Sequence, residues 1–242
     1  MPQHDANHAD ATPLRIAMVL FPRLTQLDFT APFEVFARVP GAEVAVVSET
    51  LEPVVSDTGL AILPTHTFQT AGTADVLFVP GGPGQIEQMA NAALLDYLRR
   101  AADGAAWVTS VCTGSLLLAA AGLLQGYRAT CHWLSIDQLS LFGVEPQPSR
   151  VVVDRNRITG AGITSGIDFA LEVVAKLRGG DLARRLTLQL EYDPEPPFRT
   201  GNPRVADAAL VEAARRNAAP MLEERRRQSL AAAARLGVRP GL

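Results

Sequence analysis

The sequence predicts a single α/β domain built on an open, mostly parallel sheet with helices on both faces. Short β-rich segments alternate along the chain with longer segments whose apolar residues recur at helical spacing. The segment VLFV at 76–79 is continuously apolar and lies between Asp75 and Pro80, which is typical of a strand buried on both faces. The chain has 242 residues, of which 48% are apolar, and this suits one large domain with a sizeable core.

Strands are expected where a short run is rich in β-branched residues or alternates apolar with polar residues. They are predicted at 15–20, 43–48, 76–79, 107–111, 151–154 and 157–159. The last two flank a turn at Arg155-Asn156. A hairpin-like excursion is expected at 54–64, where Ser56, Asp57 and Gly59 interrupt apolar pairs.

Helices are expected where apolar residues recur every three or four positions between capping and stop signals. They are predicted at 32–39, 92–102, 113–121, 167–178, 181–190 and 204–236. Thr30 is the expected N-cap of the first, Asp168 of the fourth and Asp181 of the fifth. The last segment is rich in Ala, Arg and Glu, and Pro220 is a point where its helix can be interrupted.

The composition argues against several classes of partner. Charged residues make up 19% of the chain and the net charge is -3, so neither a nucleic acid nor an acidic membrane surface is expected. Residues 1–13 do not resemble a secretory signal, and no apolar stretch reaches the ~20 residues of a membrane helix. The two cysteines form no CxxC pair and the four histidines are scattered, so no disulfide framework or metal site is expected. The expected location is the cytoplasm.

Cys112 is the expected nucleophile. The strand predicted at 107–111 leads directly into Cys112, and a helix follows at once with Thr113-Gly114. This strand–nucleophile–helix turn is the cysteine analogue of the G-x-S-x-G elbow, which exposes its nucleophile at the carboxyl edge of the sheet. The helix N-terminus is expected to favour the thiolate. Cys131 has no such surroundings and is expected to be inert.

Two further segments are expected at the same edge of the sheet. FVPGGPG, which begins at Phe78, ends a buried strand in two glycines, and the N–H groups of Gly82 and Thr113 are expected to stabilise developing negative charge. Asp28 follows the first strand among apolar neighbours, where an acid/base residue would act, although it could equally cap a helix. FVPGGPG is not a GxGxxG motif, so no dinucleotide is expected.

Five segments in order carry a specific resemblance. They are QLDFTAPFEVF, FVPGGPG, VCTGSLLLAAAGLLQGYRATCHW, ITSGIDFALEVV and LQLEYDPEPPF. Together they resemble the DJ/PfpI superfamily, which has the class I glutamine-amidotransferase-like, flavodoxin-type fold. Within it the chain is most similar to the isonitrile hydratases, on the strength of Asp28 and the EYDPEPPF tail. Peptidase relatives carry a histidine where this chain has Thr113, which argues against peptidase activity.

We expect three segments along the chain: a disordered tail at 1–13, a DJ/PfpI-like catalytic domain at 14–200 and a helical C-terminal extension at 201–242. The resemblance itself implies hydration of a small-molecule isonitrile to an N-substituted formamide, with no cofactor, by a homodimer. Cys112 would attack, Asp28 would transfer protons, Thr113 would orient the thiol or water, and His132 would border the site.

Other classes of function stay open. A glyoxalase- or deglycase-like enzyme normally resembles the branch that has glutamate in place of Asp28. The ligand-sensing domain of an AraC-like regulator has a similar elbow, but a helix-turn-helix module of ~100 residues follows it, whereas only 199–242 follow the EYDPEPPF tail here. A redox-sensing role for Cys112 is the remaining alternative.

Overall fold

The computed structural model describes residues 13–238. Its strands, numbered in chain order, are β1 (Leu14–Val19), β2 (Ala42–Ser48), β3 (Val54–Val55), β4 (Ala61–Ile62), β5 (His66–Thr67), β6 (Val76–Val79), β7 (Trp107–Val111), β8 (Arg128–Ala129), β9 (Glu145–Pro146), β10 (Val151–Asp154) and β11 (Arg157–Gly160). Its α-helices are α1 (Gln26–Phe36), α2 (Gln85–Gln88), α3 (Ala92–Gly104), α4 (Gly114–Ala120), α5 (Gly166–Arg178), α6 (Gly180–Gln189) and α7 (Ala208–Arg235). Two 3₁₀ helices lie at Ile136–Phe142 and Ile163–Ser165.

The central sheet has the strand order β10-β11-β7-β6-β1-β2-β5. Every neighbouring pair is parallel except the β10–β11 hairpin. The predicted open, mostly parallel sheet is therefore confirmed, as is the hairpin excursion, in which β3 and β4 pair antiparallel. Because β1, β6 and β7 run parallel side by side, the chain leaves all three at one edge of the sheet, where ligands bind in this class of fold.

An aromatic cluster fixes α1 against this sheet. Phe36 of α1 contacts Phe78 of β6 and Phe169 of α5 edge-on, with ring centroids 6.3 and 6.4 Å apart. All three rings are fully or almost fully buried. Edge-to-face packing of this kind adds to the free energy gained by burying the rings. It anchors the C-terminal end of α1, while its first turn lies at the carboxyl edge of the sheet.

The first helix does not begin where the sequence predicts. Pro32 suggests a helix start, because proline is favoured at the first helical position, yet α1 begins six residues earlier and contains Pro32. Thr30 is therefore not an N-cap; it lies inside the helix and its hydroxyl donates to the Gln26 carbonyl at 3.1 Å. As a consequence, Asp28 belongs to the first turn of a helix instead of a loop.

Three further predictions about the helices need correction. Helix α7 continues through Pro220 without interruption. Gly179 precedes α6, so Asp181 lies in the first turn and is not the cap. Asp168 is also not a cap: its carboxylate accepts hydrogen bonds from Arg150 Nε at 2.7 Å and from the Tyr192 hydroxyl at 2.8 Å.

Two of the three predicted segments lie only partly within the described residues. The tail at 1–13 lies outside the described residues, except for Pro13. The extension at 201–242 contains α7, which packs on the domain, and its residues 239–242 are not described. Within the described part of the chain, no helix is both long enough and apolar enough to cross a bilayer.

Candidate active site

Cys112 occupies a sharp turn between β7 and α4. Its φ angle is +54°, in the left-handed region that non-glycine residues rarely adopt, and Thr113 is the N-cap of α4. Two hydrogen bonds stabilise this strained conformation: the Cys112 N–H donates to the carbonyls of Gly160 and Ala161 at 3.1 and 2.9 Å. The structure thus has the predicted elbow geometry at Cys112.

Glycines allow the neighbouring strand ends to approach this elbow. A Cβ atom on Gly81 would lie 2.5 Å from the Thr113 nitrogen and 2.8 Å from the Cys112 Cβ, which no side chain tolerates. A Cβ atom on Gly114 would collide with the carbonyl oxygens of Val79 and Pro80. The turn after β6 therefore packs directly against the nucleophile, and glycine is required at both contact points.

Asp28 lies at the same place and is completely buried. Its Oδ2 accepts a hydrogen bond from the Gly81 N–H at 3.2 Å, whereas Oδ1 has no partner among the described residues. Burial raises the pKa of this carboxyl to about 7; hydrogen bonding with the Cys112 thiol and the Gly81 N–H opposes the rise, and the charge of Asp57 adds to it. An acid that titrates near neutrality next to a thiol is suited to both giving and taking a proton.

The thiol of Cys112 is protonated at rest, contrary to the expectation of a helix-stabilised thiolate. Burial, together with the negative charge of Asp28, raises its pKa well above the usual value, and the hydrogen bond from the Thr113 N–H only partly opposes this. The helix N-terminus does not prevail because the sulfur is almost removed from water. The two groups influence each other, because the charge of Asp28 raises the pKa of the Cys112 thiol and hydrogen bonding with that thiol lowers the pKa of Asp28.

The N–H groups of Gly82 and Thr113, the expected donors for developing negative charge, both already have partners. The Gly82 N–H donates to the Thr113 hydroxyl at 3.0 Å, and that hydroxyl approaches the Gly82 carbonyl at 3.3 Å. The Thr113 N–H acts on the Cys112 sulfur, where it opposes the rise of the thiol pKa. Thr113 thus links the glycine turn to the nucleophile, and Gly82 contributes its backbone to that link instead of offering a free N–H.

His132 borders the elbow and is neutral. Burial and the charge of Arg225 lower its pKa to about 4. Its Nδ1 accepts the Leu134 N–H at 3.3 Å, so the neutral ring carries its proton on Nε2. A Cβ atom on Gly162 would lie 2.7 Å from the ring, so the ring packs on the backbone one residue beyond Ala161, a partner of the Cys112 N–H.

The other cysteine has the properties expected of an inert thiol. Cys131 is buried, and burial raises its pKa to about 12. Neither cysteine is in a disulfide. Among residues 13–238, no group of three or more His, Cys, Asp and Glu side chains is arranged to hold a metal ion.

Sequence reasoning missed two buried polar residues near the elbow, Arg225 and Gln85. Arg225 Nε donates to Gln85 Oε1 at 2.9 Å, and both side chains are buried. Gln85 directly follows the glycine turn, a position that could have been inspected. Arg225 stands in the run Arg225-Arg226-Arg227, and nothing in the sequence distinguishes it from its exposed neighbours.

The raised pKa of Asp28 predicts how the stability of an Asp28→Asn variant depends on pH. A buried carboxyl whose pKa rises from 3.8 to about 7 favours the folded state when protonated, and this contribution is lost as the pH rises through 7. Asparagine does not titrate. We expect the stability of the variant relative to the unmodified chain to increase by about 2–3 kcal/mol between pH 5 and pH 8. Urea unfolding at both pH values measures this, and a difference independent of pH would contradict it.

Comparison with known proteins gives a consistent result. The profile of the DJ-1/PfpI family matches residues 14–176. Isonitrile hydratase from Pseudomonas putida is 49% identical over 226 residues, which are 93% of this chain and 99% of that protein. The crystal structure of a THiJ/PfpI family protein from Pseudomonas syringae is 41% identical, covers 95% of this chain and 97% of its own, and has a TM-score of 0.89. Oxidised DJ-1 from Toxoplasma gondii is 26% identical, with a TM-score of 0.67 over 75% of this chain and 100% of its own.

Proposed function

The chain belongs to the DJ-1/PfpI family, and we propose that it hydrates isonitriles, R–N≡C, to N-substituted formamides. The observation that carries this proposal is the buried pair of Cys112 and Asp28, in which a thiol adjoins a carboxyl with a pKa of about 7. The isonitrile hydratase from Pseudomonas putida, 49% identical over nearly the whole chain, supports the choice of substrate.

The first half of the reaction joins the thiol to the isonitrile carbon. Sulfur attacks that carbon, and the proton of the thiol passes through the Asp28 carboxyl to the same carbon, giving the thioimidate R–N=CH–S–Cys112. The carboxyl suits this relay because it is close to its midpoint at neutral pH and so costs little to protonate or deprotonate. The neutral thiol at rest is a reactant here, since both its sulfur and its hydrogen add to the substrate.

The second half returns the enzyme to its starting state. Water attacks the thioimidate carbon while Asp28 accepts a proton from the water and passes it to the nitrogen. The resulting carbinol, R–NH–CH(OH)–S–Cys112, then expels the sulfur, which regains a proton, and releases the formamide R–NH–CHO. Thr113, whose hydroxyl joins the glycine turn and whose N–H acts on the sulfur, would hold the sulfur in line for both steps. These reaction steps need no metal or organic cofactor.

A substrate screen tests the proposed activity. The same preparation is offered small alkyl and aryl isonitriles and, separately, α-oxoaldehydes, and formamide and hydroxyacid products are measured. We expect formamide formation and negligible turnover of the oxoaldehydes. Turnover of oxoaldehydes without isonitrile turnover would replace the proposal with a glyoxalase-like activity. Residues 208–235 form one helix packed on the domain, so this segment is not a helix-turn-helix.

We also propose a homodimer, and the cytoplasm as its location. An apolar groove of about 470 Å³ lies on the outer face of α1, α5 and α6, lined in part by Leu27, Ile167 and Leu190. Leu188 on α6, two residues before Leu190, is 83% exposed. A second copy of the chain would cover this apolar side chain and the groove. Light scattering at micromolar concentration is expected to give twice the chain mass, and a monomeric mass would refute the dimer.

A further inference from the structure

Helix α7 places a charged side chain inside the protein. Arg225 is only 3% exposed, although the adjacent Arg226 and Arg227 face solvent. Its Nε donates to Gln85 Oε1 and one terminal nitrogen donates to Ser135 Oγ, both at 2.9 Å. The other terminal nitrogen lies 3.6 Å from the sulfur of Met221. All three partners are neutral.

Arg225 has no carboxylate partner within salt-bridge distance among the described residues. A buried cation without a counter-ion is costly, so proteins rarely keep one without a use. No described side chain within hydrogen-bond distance of Arg225 is negatively charged. Its charge acts at longer range on two thiols, more on Cys131 and less on Cys112. The other ionisable side chains that act on these thiols or on their neighbours are Asp28, Asp57, His132 and Asp137.

The partners of Arg225 belong to the two segments that flank the elbow. Gln85 begins α2 immediately after the glycine turn, whose Gly81 touches Cys112 and Asp28. Ser135 follows Cys131 and His132, and its N–H donates to the His132 carbonyl at 2.8 Å. One guanidinium therefore joins the glycine turn to the His132 segment. The Gln85 side-chain nitrogen is buried and has no partner among the described residues, so Arg225 is the side chain that holds Gln85.

We propose that Arg225 is a positioning residue for Cys112: it fixes the two segments that flank the nucleophile and supplies the positive charge that stabilises the Cys112 thiolate when sulfur leaves the carbinol. This rests on the proposed function, in which sulfur must depart with its electron pair. Thiolate formation is otherwise opposed by burial and by Asp28, so an opposite charge is most needed at this step.

Arg225 lies outside the segment that the family profile matches. The family profile matches residues 14–176 and so does not include α7. The match to the Pseudomonas putida isonitrile hydratase covers 226 of the 242 residues and must therefore extend into α7.

The test is the pH dependence of Cys112 alkylation by iodoacetamide, followed by mass spectrometry of the Cys112 peptide. Arg225→Met and Arg225→Gln remove the charge, whereas Arg225→Lys keeps the charge but lacks the planar guanidinium. Arg226→Met, at an exposed position, is the control. We expect the midpoint of alkylation to rise by about one pH unit in the two neutral variants, so that Cys112 reacts roughly tenfold more slowly below it. The Arg226→Met midpoint should not move, and the Arg225→Lys midpoint should stay closer to that of the unmodified chain.

Alkylation does not depend on isonitrile turnover, so the result is independent of whether the proposed activity is correct. An unchanged midpoint in a folded Arg225→Gln or Arg225→Met protein would overturn the proposal, even if turnover fell. Should both neutral variants fail to fold, the lysine variant decides. A midpoint raised as far as one unit despite the retained charge would contradict an electrostatic role, and a retained midpoint would support it.

Discussion

Replacing Cys112 with alanine or serine is expected to abolish isonitrile hydration, with turnover falling by roughly 10⁴–10⁶. Alanine has no atom that can bond to the isonitrile carbon. The serine hydroxyl is far less acidic and less nucleophilic than a thiol, so it adds to the isonitrile carbon far more slowly. Steady-state formamide production at saturating isonitrile measures the effect.

The matched control is Cys131→Ala, which removes the other cysteine. Cys131 is as buried as Cys112, but burial raises its pKa to about 12 and no elbow surrounds it. We expect this variant to keep nearly normal turnover, with a small loss of stability from the missing sulfur. Substantial turnover in Cys112→Ala would rule out the covalent mechanism.

The second large effect is expected from Asp28→Asn. The carboxyl must carry a proton to carbon and later take one from water, and an amide can do neither. We expect the chemical step to slow by about 10²–10⁴, the usual scale for loss of a general acid/base. The Michaelis constant should change much less than kcat, because Asp28 acts mainly in the transition state.

Asp28→Glu separates the chemistry of the carboxyl from its position. It keeps the acid, but its longer side chain must fit where Asp28 is completely enclosed between Gly81 and Cys112. We expect a smaller loss of turnover and a narrower range of accepted isonitriles. Near-normal turnover in Asp28→Asn would show that Asp28 only lines the pocket and that another group, such as an ordered water, transfers the proton.

The sequence predicted the elbow because that feature is local. A buried strand, a cysteine and a Thr-Gly helix start are adjacent in the chain, and the apolar run at 76–79 is bounded by its own turn. The start of α1 was missed for an equally local reason, since Pro32 has a stronger preference for the first turn of a helix than Gln26 has. Contacts distant in the chain also hold this helix, since its Phe36 packs on Phe78 and Phe169.

Protonation states could not be predicted in the same way. The Cys112 thiol stays protonated because burial outweighs the helix N-terminus, and burial depends on how α1 and the glycine turn close over the sulfur. Arg225 is a second example. Its identity is visible in the sequence, but its burial depends on how α7 packs against Gln85 and Ser135, more than 80 residues away along the chain.

The central claim is that hydration passes through a thioimidate on Cys112, and the reaction intermediate tests it most directly. The protein is mixed with excess isonitrile, quenched with acid over a series of short times, digested and analysed by mass spectrometry. We predict that the Cys112 peptide gains the full mass of the isonitrile during turnover, that the Cys131 peptide does not, and that the modification disappears when substrate is exhausted. Formamide accumulating while Cys112 stays unmodified at every time, or the added mass appearing on another residue, would contradict the account.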